Sequence, residues 1–231
     1  MDLPSPAYAA PPATVVRRTS TLLLAALIAG SGVLLAPAPA DAATSAPSIL
    51  QLQRKLDALG YPVGKVDGFD GPKTRRGLCA WRRLSGAPAH RGPVTTAESR
   101  AIQATTSLPA ARAGRGVTAD KTCQTLAYRS GGAWKKVLIA STGTGGTLPV
   151  VGTYSIQRTK QGWHTSSLYP SPTPNMYSPM YFSGPIAIHG SNSVPTTPAS
   201  QGCVRVTPGG ADYLFARLRV GDPVRVIGSW R

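Results

Sequence analysis

Residues 185–206 read PIAIHGSNSVPTTPASQGCVRV, and how this stretch is understood decides the rest of the chain. An apolar run from Ile186 to Ile188 ends in His189-Gly190. A polar loop of Ser, Pro and Thr follows. Cys203 then stands alone between Gly202 and Val204, at the head of a second short apolar run. Two such runs joined by a turn-rich loop read as strands. Neighbouring strands would bring the imidazole and the thiol together, making Cys203 a nucleophile; separated strands would leave it an inert buried sulfur.

A thiolate attacks where a thiol does not. Free cysteine titrates near about 8.5, and an adjacent imidazolium or ordered amides lower that value. His189 is therefore expected to ionise Cys203. The third, orienting group is restricted by composition, because no Asp or Glu lies between Asp120 and Asp212. Asp212, Asp222 or an acid from the N-terminal half stay open as partners. A neutral orienter, a backbone carbonyl or an Asn, is more economical. The same gap argues against a metal: His164, His189 and Cys203 form a thin zinc set without a local carboxylate or C-x-x-C spacing. Gly202 permits a sharp turn before the thiol, and amides there can point at one oxygen, as an oxyanion requires. Arg205 lies two positions after Cys203 and so on the same strand face. It reads either as a charge that raises the local potential or holds a substrate carboxylate, or as a solvated surface residue.

Upstream of this stretch the pattern is of strands. TCQTLAYR alternates, SGG turns and WKKVLIAST continues, a hairpin signature. TYSIQRT, YFSGPIAIHG and PVRVIGSW read as further strands, with one helix, GGADYLFARL, before the last. The Gly-rich GTGGTLPV lacks the Gly-Lys-Ser/Thr ending of a phosphate loop and reads as a turn. In MYSPMYF (176–182) the aromatics, Tyr181 among them, read as groove lining or as core, with Phe182 on the core side. Trp163 and His164 read as lid or as surface. The result is a mostly antiparallel β domain over 121–231.

Before it, 49–107 is helical in signal. Ile49, Leu52, Leu56 and Leu59 mark one helix face that Gly60 stops, RRGLCAWRRL reads as a second helix, and Thr95 with Glu98 makes a capping box for a third. Residues 108–120, rich in Ala, Arg and Gly, read as a linker. At the N-terminus, Arg17-Arg18, the apolar run TLLLAALIAGSGVLLA and Ala40-Asp41-Ala42 give the charge, apolar core and cleavage pattern of a secretory signal over 1–42. The mature chain is then expected near Ala43, extracytoplasmic, with a membrane attachment only if the leader stays uncleaved. Removing Arg17 and Arg18 with Asp2 and Asp41 keeps the net charge of +16. That charge suits an anionic partner, for an exported protein a wall polymer rather than nucleic acid, and no basic stretch carries interleaved aromatics. Of three cysteines, a Cys79–Cys123 pair would leave Cys203 free; three free thiols is the rival.

Two resemblances sharpen this reading. Leu52, Gln53, Leu56, Leu59-Gly60-Tyr61, Gly64, Asp67-Gly68, Gly71, Thr74 and Trp81 resemble the peptidoglycan-binding three-helix module. Two positions depart: Asp70 stands where an apolar residue is usual and Arg82 where Gln is. Ser141-Thr142-Gly143, Gly152 to Ile156, Ala187-Ile188-His189-Gly190 and Ser200 to Arg205 resemble the YkuD-like L,D-transpeptidase catalytic domain. That resemblance implies Cys203 as nucleophile, His189 as its acid/base partner and the Gly190 carbonyl as neutral orienter. It implies the amides of Gln201, Gly202 and Cys203 as oxyanion hole; Arg205, Tyr181 and Ser200 are the expected substrate contacts. Gln201 departs from the His usual before Gly-Cys, and Leu148 to Gly152 from a Thr-Pro-x-Gly pattern. The expected protein is α+β: a three-helix module followed by a β-sandwich-like catalytic domain. Acting as a monomer without a cofactor, it would cross-link or remodel peptidoglycan stem peptides in the cell wall, and so support cell shape. A non-catalytic wall-binding protein and an L,D-carboxypeptidase-type hydrolase stay as alternatives.

Overall fold

The computed structural model describes residues 47–144, 149–167 and 169–230. The expected secretory leader lies outside them, as does Leu148 of the departing rim segment.

Three helices come first: α1 Ile49–Ala58, α2 Pro72–Leu84 and α3 Thr96–Ala104. Local chemistry starts each. Ser48 and Gln51 form a capping box on α1, Pro72 occupies the first turn of α2, and Thr95 with Glu98 caps α3 as the sequence predicts. The 53–74 turn segment is organised by one side chain. Gln53 is fully buried; its Nε2 donates to Thr74 Oγ1 at 2.9 Å and Asp67 Oδ1 at 3.1 Å, while its Oε1 accepts from the amides of Asp67 and Gly68. The Gln…Asp-Gly…Thr spacing is thus one hydrogen-bond hub. Arg82 is also fully buried. It pairs with Glu98 and donates to the carbonyls of His90, Gly92 and Pro93, so this departing residue ties α2 to α3 and the loop before it.

The strands are β1 Gly116–Asp120, β2 Thr125–Ser130, β3 Ala133–Ile139, β4 Gly152–Ser155, β5 Arg158–Thr159, β6 Trp163–His164, β7 Met176–Ser183, β8 Ile186–Gly190, β9 Val204–Val206 and β10 Pro223–Ile227, with α4 Pro208–Phe215 before the last. The first sheet has the order β3-β2-β1-β10-β4 and the second β5-β7-β8-β9, with β6 also on β7. The fold is α+β, mostly antiparallel, with two parallel pairings, β1–β10 and β8–β9. Between the sheets, Val117, Leu126, Phe182, Ile188, Val206, Leu214 and Val226 share one core. The other face of the first sheet offers Ala127 and Val137, which pack with Leu52, Leu78 and Trp81 of the helices. The helices are therefore a layer on the sheet.

Two expectations change. The 108–120 segment read as linker ends in β1, because Val117 and Ala119 are core residues that its Ala-, Arg- and Gly-rich composition hid. The predicted strand at 122 starts only at Thr125: Asp120 Oδ1 accepts from the amides of Thr122 and Cys123, which turns the chain first. Cys123, in that turn, is bonded to Cys79 of α2. Cys203 is the free cysteine.

Candidate active site

Parallel pairing of β8 with β9 brings His189 and Cys203 to one cleft. The register sets Ile188 against Val204 and His189 against Arg205, so Cys203, just before β9, lies level with Ala187 of β8 and diagonally across from His189. Both side chains line one cleft of about 270 Å³, with Arg205, Ser200, Gln201, Asn175 and Trp163. Cys203 is half-buried and His189 nearly fully buried.

The imidazole is oriented without a carboxylate. Its Nδ1 lies 2.9 Å from the Gly190 carbonyl; a carbonyl only accepts, so Nδ1 carries the proton and Nε2 is left as the base. Asp212 is engaged with the Tyr177 phenol and Asp222 with Arg115. Neither serves the histidine. Gly190 is confined: a Cβ there would lie 3.0 Å from Pro208 and Tyr177.

Burial sets the charge state of the pair. Desolvation pushes His189 down to about 4, with the Arg205 charge acting in the same direction and the Gly190 hydrogen bond opposing both. Desolvation raises the Cys203 thiol, against a hydrogen bond from the Ala187 backbone and the Arg205 charge, which both lower it. The apolar surroundings are Met176, Tyr181 and Ala187. Near neutral pH the resting pair is a neutral imidazole and a thiol, not the ion pair expected from adjacency.

The turn before the thiol requires its glycine, since Gly202 has φ 144°. Ser200 is buried and shapes this turn: its hydroxyl donates to the Cys203 carbonyl at 2.6 Å and accepts from the Gly202 amide at 3.1 Å. The Gly202 amide, one of the three expected to form an oxyanion hole, is therefore taken by Ser200. Ser200 contributes mainly to the loop's shape. Tyr181 is corrected more fully. It is 6% exposed, absent from the cleft lining, and stacked under Arg158 at 3.7 Å; it packs behind the thiol. Trp163 does line the cleft, from β6, with its ring 5.2 Å from that of Tyr177. Phe182 is core.

Ser141-Thr142-Gly143 has a role that spacing did not disclose. Ser141 exchanges both backbone hydrogen bonds with Arg205, and the Thr142 carbonyl accepts from the amides of Ala199 and Ser200. The segment clasps both sides of the cysteine turn. Gln124 holds it in place, its Nε2 donating to Thr142 Oγ1 at 2.8 Å and its Oε1 accepting from the Thr142 amide. Nothing in the sequence singles out Gln124.

Comparison with known proteins follows the same residues. Residues 114–226 match the family model described as the L,D-transpeptidase catalytic domain. An L,D-transpeptidase of known structure from Xylanimonas cellulosilytica is 31% identical, with a TM-score of 0.56, over 78% of this chain and 93% of that one. One from Stackebrandtia nassauensis is 24% identical over 78% and 90%, with a TM-score of 0.49. No curated protein matches the chain.

Proposed function

This chain belongs to the L,D-transpeptidase family and is an enzyme of that class, and we propose that it works through a thioester on Cys203, joining peptidoglycan stem peptides outside the cytoplasm. The observation that carries this is the oriented, neutral imidazole sharing a cleft with the one free thiol.

The donor is a stem peptide ending in a D-residue. As Sγ of Cys203 attacks the carbonyl carbon of the third residue, Nε2 of His189 takes the thiol proton. The negative charge moves to the carbonyl oxygen, where the Gln201 and Cys203 amides donate to it. Collapse breaks the C–N bond; the leaving amine of the terminal D-residue takes the proton from His189, and a thioester stays on Cys203. An acceptor amine then attacks the thioester carbonyl, His189 takes its proton, and the thiolate leaves and is reprotonated. Arg205, whose charge bears on both groups, favours the anionic sulfur along this path. Transient charging of a histidine pressed down to about 4 is balanced by simultaneous formation of the C–S bond, so no free imidazolium–thiolate pair has to persist.

The secretory pattern of 1–42 and the net charge of +16 support an exported protein on an anionic wall. The turn between α1 and α2 and the start of α2 line a groove of about 430 Å³ with Lys65, Asp67, Phe69 and Lys73, closed on one side by Thr196, which fits attachment to wall glycan or peptide by the 43–107 module.

Mass spectrometry after incubation with a carbapenem tests the thioester. A single covalent adduct is expected on the wild type and none on Cys203→Ala. An unmodified wild type, or an adduct surviving in the variant, overturns the assignment. A tetrapeptide donor with an added amine acceptor should give the cross-linked amide, whereas release of the terminal residue alone would make the enzyme a hydrolase.

A further inference from the structure

The loop 191–199 joins β8 to the cysteine turn, and its first residues, Ser191, Asn192 and Ser193, line the cleft. It carries little internal structure. Pro195 and Pro198 have no amide hydrogen, and among the described residues no amide of 194–198 donates to the chain. Three consecutive carbonyls hold it. Arg76 donates to Pro195 O at 2.6 Å, Arg91 donates to Thr196 O, and Ser141 Oγ donates to Thr197 O at 2.7 Å. Two of these three ties come from the helical layer, not from the β domain that holds the reacting atoms.

The setting of Arg76 is unusual. It is 2% exposed, its Nε has no partner, and no carboxylate pairs with it among the described residues. Its neighbour in charge is Arg91, which stacks on Trp230 at 4.6 Å. Burying a guanidinium without a counter-ion is unfavourable unless other contacts fix it, and the fixed contact here is the loop carbonyl. Arg76 stands one turn before Cys79 on α2, so the disulfide to Cys123 anchors the same helix to the β domain.

We propose that Arg76 and Arg91 are positioning residues for acyl transfer: the helical layer sets the cleft wall by holding loop 191–199, so that it completes the active site as well as attaching to the wall. The cleft in question is the one assigned above to thioester chemistry, and the proposal rests on that reading. Donor placement depends on the wall formed by Ser191 to Ser193, and misplacement of a bound donor lowers turnover more than affinity.

The test uses the full chain with Arg76→Ala and, because a buried arginine can be needed for folding, the less buried Arg91→Ala. Hydrogen exchange at the bonded amides of Ser191, Ser193 and Ala199 should accelerate at least about tenfold in either variant, with β7 and α4 changing less than about twofold. The competent fraction is counted by carbapenem adduct. Per competent site, kcat for acylation by a tetrapeptide should fall roughly tenfold while KM stays within about twofold. Unchanged exchange at 191–199 overturns the proposal whatever the activity. Faster exchange with undiminished kcat per site overturns the positioning role. A wild type that is never acylated refutes the thioester reading separately, and the proposal of a role in acyl transfer falls with it.

Discussion

Gln53 in the helices and His189 beside Cys203 are both buried polar positions, and they are treated in opposite ways. Around Gln53 the carboxamide is fully used: its nitrogen reaches two side chains and two carbonyls, and its oxygen takes two amides. In the cleft, His189 Nδ1 has one partner and Nε2 is left for chemistry, while desolvation presses the histidine down and the thiol up. One region turns burial into rigidity. The other keeps a buried base without its proton. Between these two positions, the fully partnered side chain belongs to the turn between α1 and α2, and the one with an unused nitrogen faces the cleft.

The comparison can be broken most directly at Gln53. Gln53→Met keeps the volume but strands the amides of Asp67 and Gly68, while the Thr74 hydroxyl keeps its bond to the Phe69 carbonyl; at about 1–3 kcal/mol for each stranded group, a loss on the order of 4 kcal/mol is expected in urea denaturation. Acylation per folded molecule should stay within about twofold. A large loss of turnover in the folded fraction would mean that the two regions are not separable in this way.

Acid titration probes the cleft. His189 has a folded value of about 4, below its ordinary 6.5, so between those two values the unfolded chain binds more protons. Stability should fall as the pH drops from about 6.5 to about 4, by on the order of 3 kcal/mol, and the His189→Gln variant should lack that component. Acylation should be steady around neutrality and decline only as His189 gains a proton near the acid end. Alkylation of Cys203 by iodoacetamide should instead rise with pH through and above neutrality. A plateau of alkylation from pH 5 to 7 (about the range a thiolate–imidazolium pair would give) would refute the neutral resting state.

The smallest effect is expected at Ser200. Ser200→Ala removes the bond to the Cys203 carbonyl and frees the Gly202 amide. Loosening the turn should lower kcat about tenfold with KM nearly constant. A gain in rate would show that the freed Gly202 amide joins the oxyanion hole and that the hydroxyl restrains it.

Much of the site was legible because it is local. The His-Gly end of one apolar run, the Gly-Cys head of the next and the acid-free stretch from 121 to 211 indicate a thiol, a base and a neutral orienter before any tertiary contact is known. Three-helix and strand signals were legible for the same reason, through caps, spacing and turns. What escaped depends on long-range packing. The aromatics of 176–182 could be read either as groove lining or as core, and only the packing of β7, irregular where Ser178 has φ 44° and the register shifts between Tyr177 and Met180, puts Tyr181 behind the cleft. Gln124, Ser141 and Arg76 act on residues 18, 56 and 119 positions away. Charge states escaped too, because adjacency of a histidine and a cysteine does not reveal how far both are removed from water.

The disulfide has a consequence for how the chain matures. Closing Cys79 to Cys123 spans 44 residues, whereas Cys203 lies 80 beyond Cys123 (203 − 123) and 124 beyond Cys79 (203 − 79). Both wrong closures demand a longer ring, disfavoured by roughly 0.5–1 kcal/mol of loop entropy, and both must wait for a sulfur that emerges later in synthesis. The order of the three cysteines along the chain thus gives the structural pair a head start under oxidising conditions, and keeps the third sulfur from being consumed before the enzyme exists.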